Sequence, residues 1–183
     1  MKHNRGVTLI ELLITISIAV ILMTIAVPGF QTLMISNRLS GVTTEFMGTL
    51  NLARSETVKR GRPVTICRSS NGAACTGTWS EGWLAFVDND GDATVDGGDT
   101  VLRVYSALTD NYTANGTADF ITYDRSGMAT AANTFAFCHG SDESQAQAII
   151  ITRTRPRIAT DGNDVGTVPE KENGNNITSC ENP

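Results

Sequence analysis

The chain has 183 residues, of which 14 are lysine or arginine and 19 are aspartate or glutamate, giving a net charge of −5. This length suits one globular domain with an appendage. The acidic balance excludes a protein whose whole surface attracts nucleic acid, so binding of that kind would need a local basic patch. Hydrophobic residues make up 40% of the chain, and they are concentrated near its beginning.

The first 27 residues combine a short basic start with a long apolar run. Lys2 and Arg5 precede the run, and between Val7 and Val27 the only charged residue is Glu11. The run is about as long as a helix that crosses a bilayer. Basic residues ahead of such a segment favour a cytoplasmic N-terminus. The sequence therefore predicts a single-pass inner-membrane protein whose remaining residues are exported.

A cleaved secretory signal and a simple membrane anchor are the alternatives for this segment. The run is longer than the apolar part of most secretory signals, and no A-x-A cleavage site follows it. A carboxylate such as that of Glu11 costs a few kcal/mol in hydrocarbon. A removable signal has no use for that charge, so the pattern favours a helix that is retained and has a further role.

Residues 5–13, Arg-Gly-Val-Thr-Leu-Ile-Glu-Leu-Leu, resemble the class III signal of type IV prepilins and pseudopilins, usually written G-F-T-L-I-E-L-L. Val7 stands where phenylalanine is usual. The resemblance implies that a prepilin peptidase cleaves between Gly6 and Val7 and that the new Val7 amine is methylated. Pro28 matches the proline that loosens the helix in the same family.

The position of Glu11 has a physical rationale of its own. In a helix Glu11 lies four residues beyond Val7 and on the same face. If the apolar helices of many subunits pack into a filament, an unpaired Glu11 carboxylate is costly, and the Val7 amine of a neighbouring subunit would neutralise it. The sequence therefore predicts that Glu11 is an assembly residue that selects one axial register.

The helical pattern continues beyond Pro28. Apolar residues recur at three- and four-residue steps from Leu33 to Ala53. The pattern predicts one helix that runs to about Arg60 and is ended by Gly61 and Pro63. Its first half belongs to the membrane or filament core, and the apolar stripe of its second half should pack against the exported head.

From Pro63 onward the patterns predict strands separated by Gly, Asn and Asp clusters. A helix packed on an antiparallel sheet gives an α+β head, and the resemblance implies the type IV pilin fold. The predicted domains are a leader (1–6), a transmembrane or filament-core helix (7–28), an amphipathic second half of the helix (29–62) and a β-rich head (63–183). The predicted strands are Val64–Arg68, Trp83–Asp88, Val101–Leu108, Phe120–Tyr123, Phe135–Cys138 and Ala148–Ile158.

All four cysteines follow the apolar segment, which places them on the exported side, where disulfides persist. Loop lengths favour Cys67–Cys75, leaving Cys138–Cys180 to tie the C-terminal tail to the body. Four buried thiols or a metal site are the alternatives. A zinc site would usually show a Cys-x-x-Cys or a nearby pair of histidines, and neither is present.

An Asp-rich segment begins at Asp88 and resembles an EF-hand calcium loop incompletely. Asp88, Asp90 and Asp92 occupy its first, third and fifth positions, but Ala93 stands where glycine is expected and Asp99 where a bidentate glutamate is usual. A hairpin loop that uses Asp and Gly turn chemistry explains the same residues. We therefore predict no metal and no cofactor, with these aspartates as a weak calcium candidate.

Arg153, Arg155 and Arg157 alternate along a predicted strand and would form a row on one face, about 6–7 Å apart. Guanidinium groups suit phosphates, and Pro156 indicates an exposed edge or loop. The row resembles the G-R-x-R motif of FimT-like pilins, which bind DNA in natural transformation, although Thr154 stands where the glycine would be. A solvated strand face, or pairing with acidic residues, is the alternative.

Three segments resemble the GspH/FimT branch of minor pilins, and the similarity covers nearly the whole chain. They are the helix end at residues 51–58, Val64–Arg68 followed by Cys75, and residues 82–88 with the Asp- and Gly-rich hairpin after them. That resemblance implies a minor pilin of a type IV pilus, assembled with major and minor pilins and moving from the inner membrane to a cell-surface filament. Weak, non-sequence-specific DNA binding for uptake is the expected role of the arginines. The alternative functions are a minor pseudopilin of type II secretion and a calcium-dependent binding head. His139 and the scattered serines form no recognisable catalytic pattern, so we predict no enzyme.

Overall fold

A long N-terminal helix, α1 (Leu9–Arg60), opens the structure, which is a computed structural model describing residues 7–109, 111–140, 142–159, 177, 179 and 180. The chain divides after Asn37 into two compact units. As predicted, the helix reaches Arg60 and stops at Gly61, whose φ of 65° favours glycine. The Gly61 N–H donates to the Thr57 carbonyl at 2.9 Å.

The first unit holds the apolar part of α1. Its side chains are exposed, as in Leu9 (78%) and Ile25 (73%). Among the described residues, α1 is the one helix long and apolar enough to cross a membrane, judged by length and composition. An apolar surface this large needs a partner environment, either lipid or other helices.

In the second unit α1 turns one face to the β-sheets. The buried positions repeat at three- and four-residue intervals, which is the spacing of one helix face. They are Leu39, Val42, Thr43, Phe46, Thr49, Leu50, Ala53 and Thr57.

The described residues of the head form two four-stranded antiparallel sheets, which confirms the predicted α+β class. The first has the strand order β3-β2-β1-β5 and the second β4-β6-β7-β8. The strands are β1 (Val64–Arg68), β2 (Trp83–Val87), β3 (Thr100–Tyr105), β4 (Tyr112–Gly116), β5 (Phe120–Tyr123), β6 (Asn133–His139), β7 (Asp142–Ile151) and β8 (Pro156–Ile158).

Four predicted strands differ from the structure in extent, two of them only slightly: Trp83–Asp88 ends at Val87, and Phe135–Cys138 extends to Asn133–His139. Val101–Leu108 ends at Tyr105, because the Leu108 N–H donates to the Ser80 carbonyl at 2.8 Å and the chain has left the sheet. Ala148–Ile158 is two strands, β7 and β8, which pair with each other around a tight turn.

The strand β4 was not predicted. Its sequence, Tyr-Thr-Ala-Asn-Gly, contains residues that strands usually avoid. Gly116 is needed because the ring of Phe135 lies where a Cβ would be. Pairing with β6, rather than local preference, therefore holds β4 in the sheet.

The core of the head is aromatic and centres on Phe46 of α1. Its ring lies 5.8 Å from that of Trp79, 5.3 Å from Trp83, 4.8 Å from Phe135 and 5.5 Å from Phe137. Trp83 belongs to the first sheet and the two phenylalanines to the second, so one helical side chain joins both sheets.

Both predicted disulfides are present, and each packs in an apolar cluster on one of the two sheets. Cys67 and Cys75 pack with Leu84, Phe86 and Val95 on the first sheet. On the second sheet, Cys138–Cys180 places Ile177 and Cys180 against Ala136, Ala146 and Ala148. The Asn115 side chain donates to the Cys180 carbonyl at 2.8 Å.

Candidate functional site

The predicted assembly residues surround the start of α1. Val7 is 68% exposed just before the helix, and Glu11 lies exposed in its first turn, whereas Gly6 lies outside the described residues. The Glu11 N–H donates to Thr8 Oγ1 at 3.3 Å, which makes Thr8 the cap of α1. The sequence reasoning missed this role of Thr8, although Thr-x-x-Glu is a known helix-start pattern.

The predicted row of three arginines is wrong. Arg153 and Arg155 lie in the turn between β7 and β8, and only Arg157 is in a strand. Thr152 closes that turn, because its Oγ1 donates to the Arg155 carbonyl at 2.8 Å and accepts the Arg155 N–H at 3.3 Å. The alternation of Arg and Thr resembles the pattern of a strand. The Thr152 hydroxyl, however, forms hydrogen bonds with the Arg155 backbone and so stabilises a turn instead.

Arg157 is directed to a different surface from the turn. Arg157 lies in β8, an edge strand of the second sheet, and is paired there with Ile150 of β7. Ile150 alternates with Ala148 and so shares the face covered by the Cys138–Cys180 disulfide. The position of β8 confirms the prediction that Pro156 marks a sheet edge, where a missing N–H is tolerated.

The arginine turn contacts a second turn, Asp124–Met128, which follows β5. The Ala129 N–H donates to the Arg153 carbonyl at 2.9 Å, and Ala129 also bridges to Tyr123. Hydrogen bonds from Ser126, and more weakly the positive charge of Arg153, hold the pKa of Asp124 below its usual value. The two turns therefore form one polar surface.

The Asp-rich loop brings together a different set of carboxylates from the one predicted. Oxygens of Asp88, Asp90 and Asp99 lie within 4.8 Å of one another. The Asp92 carboxylate instead accepts hydrogen bonds from the Thr94 N–H (2.7 Å) and the Thr94 hydroxyl (2.6 Å). The contact with Thr94 lowers the pKa of Asp92. Partial desolvation, together with the neighbouring acids, raises the pKa of Asp90.

These carboxylates also serve the loop itself. Asp88 is fully buried and accepts hydrogen bonds from Gly91 N–H (2.7 Å), Thr65 Oγ1 (2.8 Å) and Ala93 N–H (3.1 Å). Asp99 accepts the Asn89 N–H at 2.9 Å. The loop is thus built from Asp side chains that cap its own backbone, as the turn interpretation of the sequence expects.

Two family models match the chain. One, described as Type II transport protein GspH, covers residues 42–154, and the other, described as Prokaryotic N-terminal methylation motif, covers residues 1–27. The first spans more than half of the chain. The chain belongs to the GspH family. It therefore belongs among the minor pilins and pseudopilins of the type IV pilin class, which are structural subunits rather than enzymes.

Solved structures give the GspH-family chain a type IV pilin fold. Two crystal structures of the Pseudomonas aeruginosa type IV minor pilin FimU are similar to it, each at 18% identity. One has a TM-score of 0.59 and covers 79% of this chain and 96% of FimU; the other has 0.56, 77% and 98%. At this identity the likeness concerns the fold. A comparison with curated proteins found no match.

Family membership indicates the role of the exposed apolar helix. An apolar helix behind a methylation motif is the assembly element of a pilin subunit, and subunits of this class assemble with other pilins. The head adds a turn with two exposed arginines and an acidic loop. His139 packs its ring on Tyr112 at 4.8 Å between centroids, as a structural contact.

Proposed function

We propose that this GspH-family chain is a minor pilin of a type IV pilus. It enters the inner membrane with its N-terminus in the cytoplasm, and a prepilin peptidase cleaves it between Gly6 and Val7. The methylated Val7 then starts a helix that moves from lipid into the filament core. The exposed apolar α1 behind a matched methylation motif carries the proposal of a filament subunit, and the fold shared with the minor pilin FimU supports a pilus over a secretion system.

Glu11 directs the assembly step in this proposal. Leaving its carboxylate unpaired among apolar helices costs several kcal/mol, and the Val7 amine of an adjoining subunit removes that cost. Pairing is possible in only one axial register. The amine exists only after cleavage, so processing and assembly are coupled.

Replacing Glu11 with valine should leave membrane insertion intact and abolish entry into pili. The variant loses the charge pair while its apolar helix still suits lipid. The measurement is the amount of the protein in membrane and sheared-pilus fractions of the native host, by immunoblot.

The matched control is Thr15→Val, which removes a polar group one helical turn later without changing charge. Thr15 donates to the Leu12 carbonyl at 2.8 Å, so its hydroxyl is already satisfied within the helix. This control should reach the pilus fraction normally. Normal incorporation of Glu11→Val would contradict the role given to Glu11.

A pseudopilin of type II secretion is the second candidate, favoured by the description of the matched family. Deletion of the gene separates the two functions. A pilus subunit predicts lost or shortened pili with normal protein secretion. A pseudopilin predicts periplasmic accumulation of secreted enzymes with normal pili.

We further propose that the head of this minor pilin takes part in DNA uptake, and that its β7–β8 turn binds DNA weakly and without sequence preference. Support comes from the exposure of Arg153 and Arg155 and from the fit of guanidinium to phosphate. Within the part of the chain that the structure describes, the ion pairs use Lys59, Arg60 and Arg68, and neither turn arginine takes part in one. Few phosphate contacts imply low affinity and a salt slope of only about −0.9 for each contact.

Arg155→Gln should weaken DNA binding, because one phosphate contact is lost while the turn keeps its backbone hydrogen bonds. Full-length protein in non-ionic micelles, titrated into fluorescein-labelled duplex DNA at low salt, measures this by anisotropy. The affinity should fall roughly eightfold at 0.1 M salt if one counterion is no longer released. Absence of binding by the wild-type protein would remove the DNA proposal and leave the filament proposal standing.

A further inference from the structure

Two turns of the head meet at one place and together carry three arginines. The β5–β6 turn contributes Arg125, and the β7–β8 turn contributes Arg153 and Arg155, all three of them exposed. The only carboxylate in these two turns is Asp124. Three positive charges against one negative give a local charge of +2 in a chain whose net charge is −5.

Backbone hydrogen bonds fix the β5–β6 turn. The Gly127 N–H donates to the Asp124 carbonyl at 2.8 Å, and the Asp124 N–H donates to the Met128 carbonyl at 2.9 Å. Gly127 has a φ of 77°, which suits glycine at the end of such a turn. Arg125 thus occupies the first corner of a rigid turn.

The β7–β8 turn is also closed by hydrogen bonds between its first and fourth residues, and it is joined to the first turn. The Thr152 N–H donates to the Arg155 carbonyl at 3.2 Å, which leaves Arg153 at the first corner. The Ala129 N–H donates to the Arg153 carbonyl at 2.9 Å. Asp124 and Arg153 therefore flank the Ala129 segment, roughly two strand spacings or 10 Å apart.

Asp124 both shapes this surface and reduces its charge. Its Oδ1 accepts hydrogen bonds from the Ser126 N–H, the Ser126 hydroxyl and the Met128 N–H. Because all three use Oδ1, an asparagine amide oxygen can hold the turn in the same way. The negative charge is therefore separable from the turn geometry, and it opposes the positive charge of Arg153 and of the surface as a whole.

We propose that Arg125 is a DNA-binding residue, and that the binding surface is the pair of joined turns carrying Arg125, Arg153 and Arg155, with Asp124 limiting its affinity. This inference rests on the proposed DNA-binding function of the β7–β8 turn. It replaces a row along one strand with a compact cluster, so the surface engages neighbouring phosphates of one backbone segment. Arg157 belongs to another face and is not a member.

The experiment compares Arg125→Gln with Arg103→Gln as full-length proteins in non-ionic micelles. Arg103 lies on β3, three strands from β5 in the same sheet, or about 14 Å away. Both changes remove one exposed guanidinium and one charge. Fluorescein-labelled duplex DNA is titrated by anisotropy between 25 and 200 mM salt, roughly the range over which such contacts weaken.

Arg125→Gln should bind roughly eightfold more weakly at 0.1 M salt and show a salt slope shallower by about 0.9, as for one lost phosphate contact on duplex DNA. Arg103→Gln should match the wild type. Asp124→Asn should bind more tightly, because the turn stays while the opposing charge goes.

The two possible failures are distinguishable. If Arg155→Gln weakens binding while Arg125→Gln matches Arg103→Gln, the joined-turn surface is wrong and the DNA function stands. If wild-type protein binds no DNA at 25 mM salt, the proposed function and this inference fail together. Equal weakening by Arg125→Gln and Arg103→Gln would indicate a general charge effect and would also overturn the inference.

Discussion

Phe46 shows how much of the fold depends on one side chain. Its ring contacts Trp79, Trp83, Phe135 and Phe137 from a helix position that is 1% exposed. Truncating a buried phenylalanine typically costs about 3–5 kcal/mol. Because a whole domain is stable by about 5–15 kcal/mol, this contact between the helix and both sheets is a large share of the head's stability.

Asp88 is a buried polar residue that, like Phe46, holds several segments of the head together. Replacing it with alanine should destabilise the head by about 1–3 kcal/mol, since a fully buried acceptor of three hydrogen bonds, from the Thr65 hydroxyl and the Gly91 and Ala93 N–H groups, is lost. Denaturant unfolding of the full-length protein in micelles, followed by tryptophan fluorescence, measures the change.

Asp96→Ala is the control for that measurement. Asp96 lies exposed in the same loop and accepts one hydrogen bond from Gly98 N–H at 2.8 Å. Its loss should cost less than about 0.5 kcal/mol. A loss of stability for Asp88→Ala no larger than that for Asp96→Ala would contradict the turn-forming role of Asp88.

At the scale of elements, the sequence predicts the helix and most strands because each carries its own periodic pattern. The apolar steps of α1 and the Gly61 stop are local signals, and the strands Val64–Arg68 and Phe120–Tyr123 are correct at both ends. The missed strand β4 has no such signal. Its place depends on pairing with β6, which lies 17 or more residues further along the chain.

The arginine segment shows why the candidate site was only partly predictable. Alternating Thr and Arg after Ile151 fits a strand, yet the Thr152 side chain closes a turn there. A second turn then contributes Arg125, which stands 28 positions before Arg153 in the sequence. Sequence spacing cannot indicate that proximity, because it arises from the hydrogen bond between Ala129 and Arg153.

At the scale of the whole molecule, the net negative charge weakens DNA binding by a single subunit, so useful binding depends on assembly. Removal of residues 1–6 would leave 12 basic and 19 acidic residues, a net charge of −7. A single head with three phosphate contacts and this overall charge binds DNA weakly. Display of several copies of the basic turn surface on one filament would raise the effective affinity without new contacts. The DNA proposal therefore depends on the filament proposal, while the filament proposal does not depend on DNA.

The central claim is that cleavage exposes the Val7 amine and that this amine, paired with Glu11 of an adjoining subunit, admits the chain to a filament. Intact-mass and N-terminal analysis of the protein recovered from sheared pili of the native host tests it most directly. The account predicts a chain that begins with N-methylated Val7. A filament-associated chain that still begins at Met1 would contradict it.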